Sequence, residues 1–428
     1  MKTIRINPFL LATGAFFTLI SVLVGGAASA QAATTKAVGV AAFNMAWAGT
    51  PDDFKKHLEV CTSAAVNWCD TRARIVRGAT AATTEEIARA TQCQESVLKA
   101  AGGPAASNLI APCNAYRSGD APAPGQPRPD PNVTRTPAAY QEKLDKLRET
   151  VEGIIARDGV RVIAFQEVRS SAVIKLVLGK YADTFAVCDA KHTAFQTLAF
   201  AWDKSLTSTP GQCATESALA IKDPPTDPAA FRSVRPGLAL SLTISEQPVT
   251  LMNVHLKAAC ASVTNSDPRY PGRLLTDANE ACAVLNRQVP VLENWIERVS
   301  AKSPRFILLG DFNRRIDDEL ALTPKSTDVR ADGTDPASPN KVGADGKVST
   351  RYLWQEISDG SPTMHQVPLS TKDGGCTGFT GLDHIVISDA LKAINPGEIP
   401  SRKVAVAAVP NQKIETSDHC PRIAQILF

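Results

Sequence analysis

The chain has 428 residues, of which 44% are hydrophobic, so it can build one large α/β domain with insertions or two or three average domains. Its formal net charge is only +3, which excludes a strong bulk electrostatic grip on a polyanion. Any recognition of phosphate must therefore be local.

The first thirty residues have the layout of a secretory signal. Lys2 and Arg5 precede an apolar stretch at 9–24, and small residues follow at 28–30. We expect residues 1–30 to be a cleaved signal peptide and the protein to be exported, either secreted or periplasmic. Its removal would leave 44 basic residues against 43 acidic ones. No other stretch is long and apolar enough to span a bilayer, so no stable membrane anchor is expected.

All ten cysteines follow this segment, and an even number in an exported chain predicts up to five disulfides. No two of them have the CxxC spacing of a structural zinc site. We expect the local pairs Cys188 with Cys213 and Cys260 with Cys282. The sequence leaves the connectivity of the others open.

The first predicted strand, at 37–45, ends in Asn44. Residues 51 to about 118 differ in kind, because they are rich in alanine, contain four cysteines and predict a helix at 84–101. Six prolines at 120–137 indicate a stiff linker. We therefore interpret 51–137 as a disulfide-bearing helical insertion with a Pro-rich linker, and 37–50 with 138–428 as the main domain.

The main domain continues with an amphipathic helix at 140–154 and a strand at 160–165 that ends in Gln166 and Glu167. Three further strands are predicted at 194–202, 238–244 and 249–254. The last of them leads into His255 and Lys257. A helix follows at 285–299, and we expect Pro290 to kink or split it.

The stretch 306–315, FILLGDFNRR, predicts a strand buried on both faces that ends abruptly in polar residues. Alternation along an extended backbone places Asp311 and Asn313 on the same side. Alone, this pair also suits a turn that ends a strand. The recurrence of polar strand ends elsewhere in the chain favours a site.

The C-terminal part begins with a long loop at 323–350, which is rich in Pro, Gly, Asp and Ser. A turn into a strand at 381–387 carries Asp383 and His384. Asp418 and His419 precede a final strand at 423–427. Adjacent strands mixed with helices predict mixed sheets in a layered α/β architecture.

Eight polar residues therefore lie at strand ends: Asn44, Glu167, His255, Asp311, Asn313, Asp383, Asp418 and His419. Carboxylate and amide oxygens suit Mg²⁺ or Ca²⁺, and histidines beside acids exchange protons near neutral pH. Such a set fits metal-assisted hydrolysis of a phosphate ester.

Six motifs in order, FNMAW, AFQEV, NVHLK, LGDFN, LDHIV and SDHCP, resemble the endonuclease/exonuclease/phosphatase superfamily. The resemblance covers 37–50 and 138–428. It implies a four-layered α/β sandwich, with two mixed β-sheets flanked by helices and the site at one edge. It also implies a divalent cofactor, Mg²⁺ with Mn²⁺ or Ca²⁺ as alternatives.

The resemblance assigns roles to the same residues. The implied metal ligands are Glu167, Asn44 and Asp418. The implied catalytic residues are His255 and Asn313 on the scissile phosphate, Asp311 on the attacking water, and Asp383 behind His419 as its orienting carboxylate. Candidate substrate contacts are Lys257, Arg314 and Arg315, although exposed basic residues are common. We interpret His384, which points away from Asp383, as packing.

The preferred hypothesis is a secreted, divalent-metal-dependent phosphodiester hydrolase, and a nuclease is favoured. One alternative acts on lipid or inositol phosphates, as a phospholipase C or sphingomyelinase-like enzyme or as a phosphomonoesterase. Another is a non-catalytic binding protein on the same fold. An aromatic content of 6%, with no exposed aromatic run in the loops, favours nucleic acid over lipid as the partner. We expect a monomer.

Overall fold

The computed structural model describes residues 36–68, 83–113, 115–116, 136–222, 232–263, 275, 280–321, 352–358, 361–369, 381–409 and 414–428. The predicted signal peptide, most of the predicted linker and the predicted loop at 323–350 lie outside these residues.

The described strands are β1 (Ala37–Ala48), β2 (Val160–Val168), β3 (Phe185–Asp189), β4 (Thr197–Asp203), β5 (Gln212–Glu216), β6 (Gly237–Ile244), β7 (Gln247–His255), β8 (Arg305–Asp311), β9 (Met364–Gln366), β10 (Asp383–Ser388), β11 (Ser401–Lys403) and β12 (Arg422–Leu427). The described α-helices are α1 (Pro51–Cys61), α2 (Thr84–Ala101), α3 (Pro104–Asn108), α4 (Pro137–Asp158), α5 (Ser171–Leu178), α6 (Glu280–Ser300), α7 (Ile316–Leu320), α8 (Leu353–Ser358) and α9 (Asp389–Ile394). Three short 3-10 helices lie at Gly179–Tyr181, Lys204–Leu206 and Ser217–Leu219.

The strands form two six-stranded mixed sheets. The first has the order β11-β12-β1-β2-β4-β3, and the second has the order β5-β6-β7-β8-β10-β9. Each sheet contains one central parallel pair, β1 with β2 and β7 with β8, and its other pairs are antiparallel. This is the fold class that the sequence predicts.

Alternation along the strands builds the layers. Side chains such as Val40 and Leu309 face the space between the sheets and form one buried core. On the outer face of the first sheet, residues such as Phe43 pack against α4 and α5, and on the outer face of the second, residues such as Leu308 pack against α6. The result is the helix, sheet, sheet, helix sandwich that the resemblance implies.

Helix α4 has clear sequence signals at both ends. The Thr136 side chain accepts a hydrogen bond from the backbone N–H of Ala139, and Pro137 occupies the first turn, where a missing N–H costs nothing. Gly159 ends the helix at φ +62°, a left-handed conformation that glycine adopts without strain. These caps fix the register of the helix that carries Tyr140 and Lys143 toward the site.

One element prediction is wrong in part. Helix α6 runs unbroken through Pro290, so the proline does not split it. Its inward face, which includes Leu285, Val289 and Leu292, is fully buried against the second sheet, and this packing outweighs the lost backbone hydrogen bond. The predicted helix at 84–101 is confirmed as α2.

Disulfides join Cys188 to Cys213 and Cys260 to Cys282, as the sequence predicts, and a third joins Cys61 to Cys113. Cys93 and Cys420 are also disulfide-bonded, and no cysteine among the described residues is free. Within the described part of the chain, no helix has the length and apolar character needed to span a bilayer.

Candidate active site

Three candidate residues form a row across the second sheet. His255 at the end of β7 pairs in register with Asp311 at the end of β8, and Asp311 pairs with Asp383 at the start of β10. Directly paired residues in a ladder point to the same face, so the three side chains converge. All three are buried.

Gly310 lets β8 approach β7 closely just before Asp311. Its φ is +134°, and a Cβ there would lie 2.2 Å from the carbonyl oxygen of Val254. Only glycine fits such a position. The residue before the catalytic candidate is therefore set by backbone geometry.

The first sheet contributes Asn44 and Glu167 through irregular strand ends. The pairing of β1 with β2 shifts register after Asn44, and that of β2 with β4 shifts after Gln166. Ala46, Trp47 and Glu167 have φ values of +47°, +61° and +56°, which are uncommon for residues other than glycine. The Trp47 N–H donates to Glu167 Oε2 at 3.2 Å. These bulges aim Glu167 toward the row on the second sheet.

Asp311 is the centre of the cluster. Its Oδ2 accepts from Asn44 Nδ2 at 3.0 Å and from Asn313 Nδ2 at 3.2 Å, and its Oδ1 accepts from the Asn313 N–H at 2.8 Å. His255 Nε2 lies 3.5 Å from Asp311 Oδ2 and 3.7 Å from Glu167 Oε1. Asn313 reaches Asp311 because its φ of +51° turns the chain back, not because a strand alternates through it. The predicted convergence is present for a different local reason.

His419 bridges two carboxylates. Its Nδ1 lies 3.1 Å from both carboxylate oxygens of Asp383, and its Nε2 lies 3.7 Å from Asp311 Oδ2. Ser417 holds the loop in place, since its hydroxyl donates to the carbonyl of Asn44 at 2.7 Å and accepts from the His419 N–H at 3.1 Å. The imidazole is therefore oriented with Nε2 toward the centre of the cluster.

The electrostatics distinguish the acids from one another. Burial raises the pKa of Asp311 to about 6, and burial together with the nearby carboxylate of Asp418 raises the pKa of Glu167 to about 7. Burial also acts to raise the pKa of Asp383, but Lys403 and His419 outweigh it and hold the pKa well below its usual range. Asp383 is thus a fixed anion, whereas Asp311 is poised near neutral pH.

The two histidines differ as well. Burial acts to lower the pKa of His419, yet Asp383 and Asp311 outweigh it and raise the pKa to about 10. Burial and the guanidinium of Arg235 push the pKa of His255 well below its usual range. At neutral pH the site therefore holds one imidazolium and one neutral imidazole.

Several supporting residues have no motif around them, so the sequence does not reveal them. Lys403 Nζ donates to Asp383 Oδ2 at 2.9 Å, with both side chains buried. Arg235 Nε donates to the carbonyl of His255 at 3.2 Å. Lys143 Nζ donates to the carbonyls of Glu415 and Thr416, which precede Asp418. The sequence shows Lys143 within a predicted helix, but it does not show that the groups such residues bind lie far away along the chain.

The three basic candidates do not share one role. Arg314 is fully buried, and its Nε donates to Glu319 Oε1 at 2.6 Å, while its Nη1 donates to the carbonyl of Cys260 at 2.9 Å. The prediction that Arg314 contacts substrate is therefore corrected, because its guanidinium braces the protein interior. Lys257 and Arg315 are only half-buried, just beyond β7 and β8, and stay candidates for contacts with substrate.

Two groups of residues are candidates for a metal. Ligand atoms of Asp311, Asp383 and His419 lie within 4.8 Å of one another. In that group the Asp383 carboxylate already has two partners inside the protein, because it binds both His419 and Lys403. Glu167 fits a divalent cation better, since it is a carboxylate beside the carboxylate of Asp418, and such oxygen donors are the ligands of Mg²⁺. Asn44 adds an amide oxygen at the same strand ends.

No protein-family model and no curated protein matches the sequence. Among solved structures, a truncated Caenorhabditis elegans TDP2 is 13% identical, over 67% of this chain and 92% of that chain, with a TM-score of 0.38. The endonuclease/exonuclease/phosphatase from Bacteroides vulgatus is 12% identical, over 67% and 90%, with a TM-score of 0.38. A D. rerio TDP2 complexed with single strand DNA product is 14% identical, over 66% and 92%, with a TM-score of 0.36. These loose superpositions leave the substrate of this chain open.

Proposed function

We propose that this protein is an exported, divalent-metal-dependent phosphodiester hydrolase that acts on nucleic acid. The observation that carries the proposal is the position of Asp311. It is a buried carboxylate with a pKa near neutrality, held by Asn44 and Asn313 and facing His255 and His419. A carboxylate with a raised pKa between two histidines of different charge is typical of a catalytic site rather than of a structural ion pair.

Glu167, Asn44 and Asp418 would hold the metal ion. When bound, a divalent cation supplies neutralisation of charge on the phosphoryl oxygens and orientation of the substrate. Mg²⁺ suits these oxygen donors best, and Mn²⁺ and Ca²⁺ accept the same kind of ligand. The nearby carboxylate of Asp418 disfavours the charged form of Glu167, and a bound cation would offset this repulsion.

Asp311 is suited to accept the proton of an attacking water, because a general base works best with a pKa near the operating pH. Asn44 and Asn313 fix the orientation of its carboxylate. His419, charged and oriented by Asp383, places a positive group beside the phosphate, where negative charge develops in the transition state. Neutral His255 and the amide of Asn313 complete the set of groups proposed to contact the phosphate.

Nucleic acid is favoured over lipid by the protein surface. Enzymes that work on a lipid surface present a contiguous exposed apolar patch. The exposed large hydrophobic side chains among the described residues lie on four separate segments: Trp68, Leu109, Leu176 and Leu320. No run of consecutive exposed large hydrophobic residues occurs among the described residues.

The test uses the mature protein and its Asp311→Ala variant. Each is incubated with plasmid DNA, RNA, sphingomyelin and a generic phosphodiester, first with Mg²⁺ and then with EDTA. We expect the wild type to cleave nucleic acid only with the metal, and the variant to be inactive. Turnover of lipid alone would replace the nucleic-acid proposal, and inertness toward every substrate would indicate a binding protein.

A further inference from the structure

A cavity of about 320 Å³ lies between the helical insertion and the main domain. Its insertion wall is one face of α2, with residues such as Ala90, Gln94 and Val97 spaced at helical intervals. Its opposite wall includes Trp47 and Phe195 of the main domain. A volume of this size is within the range of small-molecule sites.

The insertion is fixed firmly to the main domain. Phe54 of α1 stacks on Tyr140 of α4 with ring centroids 4.1 Å apart. Within the main domain, the Tyr140 hydroxyl donates to the carbonyl of Gly49 at 2.8 Å and accepts from its N–H at 2.8 Å, which holds the ring on which Phe54 stacks. The Phe195 N–H donates to the carbonyl of Asn108 at 2.6 Å, and the Cys61–Cys113 disulfide ties α1 to the cavity wall. These contacts fix α1, Asn108 and Cys113 beside the main domain.

The cavity is also adjacent to the candidate active site. Trp47 lines the cavity, and its backbone N–H donates to Glu167, the principal proposed metal ligand. Arg235 lines it and donates to the carbonyl of His255, a proposed phosphate contact. Two residues that line the cavity therefore also contact residues of the proposed site.

The lining combines flat apolar surface with polar groups. The Trp47 and Phe195 rings lie 5.9 Å apart and are tilted by 42°, so a planar group can pack against them. Gln94 and Gln196 offer amide groups of the kind that pair with base edges. His192 Nε2 is buried and has no hydrogen-bond partner among the described residues. Burial and nearby Arg235 lower the pKa of His192 to about 4, so it is a neutral imidazole.

We infer that this cavity binds a nucleobase attached to the scissile phosphate, so that the insertion makes the enzyme selective for a base in single-stranded nucleic acid. The inference rests on the proposed function. Amide side chains and an imidazole line this cavity together with its apolar residues, which suits a flat base with polar edges better than an acyl chain. Stacking against an aromatic wall is the usual way in which proteins hold an unpaired base.

The test compares two ligands of equal charge: a single-stranded tetranucleotide and the same backbone with every base removed. Binding of each to the Asp311→Asn variant with Mg²⁺ is measured by calorimetry. We expect the tetranucleotide to bind about tenfold tighter or more, as one stacked base would give. In Val97→Trp, added to Asp311→Asn, the new side chain fills the cavity and the preference should fall below about threefold.

Gln92→Trp is the matched control, because Gln92 is exposed on another face of α2 and does not line the cavity. It should keep the full preference. Should Val97→Trp not fold, Ala90→Leu fills the same cavity by a smaller volume and has the same expectation. Equal affinity for the two ligands, an unchanged preference in the filled variants, or tighter binding of a lysophospholipid would each overturn the inference.

Plasmid cleavage by the wild type separates the two proposals. Cleavage without a base preference in binding would disprove base binding in the cavity and leave the nuclease proposal intact. No cleavage of any nucleic acid would remove the nuclease proposal and the pocket's role in it.

Discussion

Two buried polar clusters meet at Asp383, and they differ in how their charges are balanced. The site cluster contains Glu167, Asp311 and His419, and burial raises the pKa of both its acids. The support cluster, which we define as Arg314, Glu319, His384 and Arg422, lies beside it and is fully buried, whereas the Glu167 side chain is 16% exposed.

In the support cluster each charge has a partner inside the protein. Glu319 binds Arg314 at 2.6 Å and also accepts from the N–H groups of Leu353 and Trp354. Arg422 Nη1 donates to the carbonyl of Asp383 at 2.6 Å. Burial of polar groups is thus not itself a sign of function. Acids whose pKa values are raised toward neutral pH are the better sign, and of the two clusters only the site cluster has them, in Glu167 and Asp311.

The largest expected effect is that of Glu167→Gln. If Glu167 holds the metal as proposed, its loss should lower hydrolysis of plasmid DNA by about a thousandfold or more, since a bound metal supplies several kcal/mol of transition-state stabilisation. Thermal unfolding in EDTA should show a variant at least as stable as the wild type, because one of several neighbouring negative charges is gone. A large loss of stability would show that Glu167 belongs with the support residues.

Arg314→Met should have the opposite signature. The change leaves the fully buried Glu319 carboxylate without its cation, which costs about 3–5 kcal/mol of unfolding free energy. Urea denaturation measures this loss. Activity per folded molecule should be retained, and Arg314→Met combined with Glu319→Gln should recover part of the stability. Loss of activity in a stably folded variant would restore Arg314 as a contact for substrate.

Asp383→Asn should lower both the rate and the stability, because Asp383 contacts residues of both clusters. His419 loses the carboxylate that orients it, which should lower the rate by about a hundredfold. Buried Lys403 loses its charged partner, which should lower stability by about 2 kcal/mol. Rate assays and denaturation on the same preparation check the two effects. A change in the rate alone, or in the stability alone, would mean that Asp383 serves only one of the two clusters.

Most of the fold follows from hydrophobic periodicity, because the buried strands β1, β2, β7 and β8 have strong apolar runs. The short edge strands β3, β5, β9 and β11 do not stand out, since a strand with one free edge and mixed polarity resembles a loop. The prediction that Pro290 could split its helix was wrong because helix propensity does not show how well the rest of the helix packs.

The candidate site divides in the same way. The acids and histidines at strand ends are visible in the sequence because polar residues follow apolar runs there. Arg314 was misassigned because an arginine after a strand looks the same whether its partner is a phosphate or a buried Glu319 five residues later. Lys403 and Arg235 were missed because only the folded chain brings them to Asp383 and His255. Sequence patterns locate the edge of a sheet, but the partners come from elsewhere in the chain.

The smallest effect concerns His384, a neutral histidine in the support cluster. Its Nε2 faces the carbonyls of Arg314 and Gly381 at 2.9 and 3.0 Å, and its Nδ1 faces the amide of Gln366 at 3.0 Å and the guanidinium of Arg422. This arrangement fits the Nε2–H tautomer, in which Nε2 donates and Nδ1 accepts.

Burial and Arg422 lower the pKa of His384 from 6.5 to about 4. The unfolded chain therefore takes up a proton at this residue before the folded protein does, and the stability that neutral His384 allows above pH 6.5 is lost as the pH falls toward 4. The loss should reach at most about 3 kcal/mol, and His384→Gln, which cannot take up a proton, should show a correspondingly shallower decline. Urea denaturation of both proteins between pH 7.5 and pH 4.5 measures the difference, and parallel curves would mean that folding does not lower the pKa of His384.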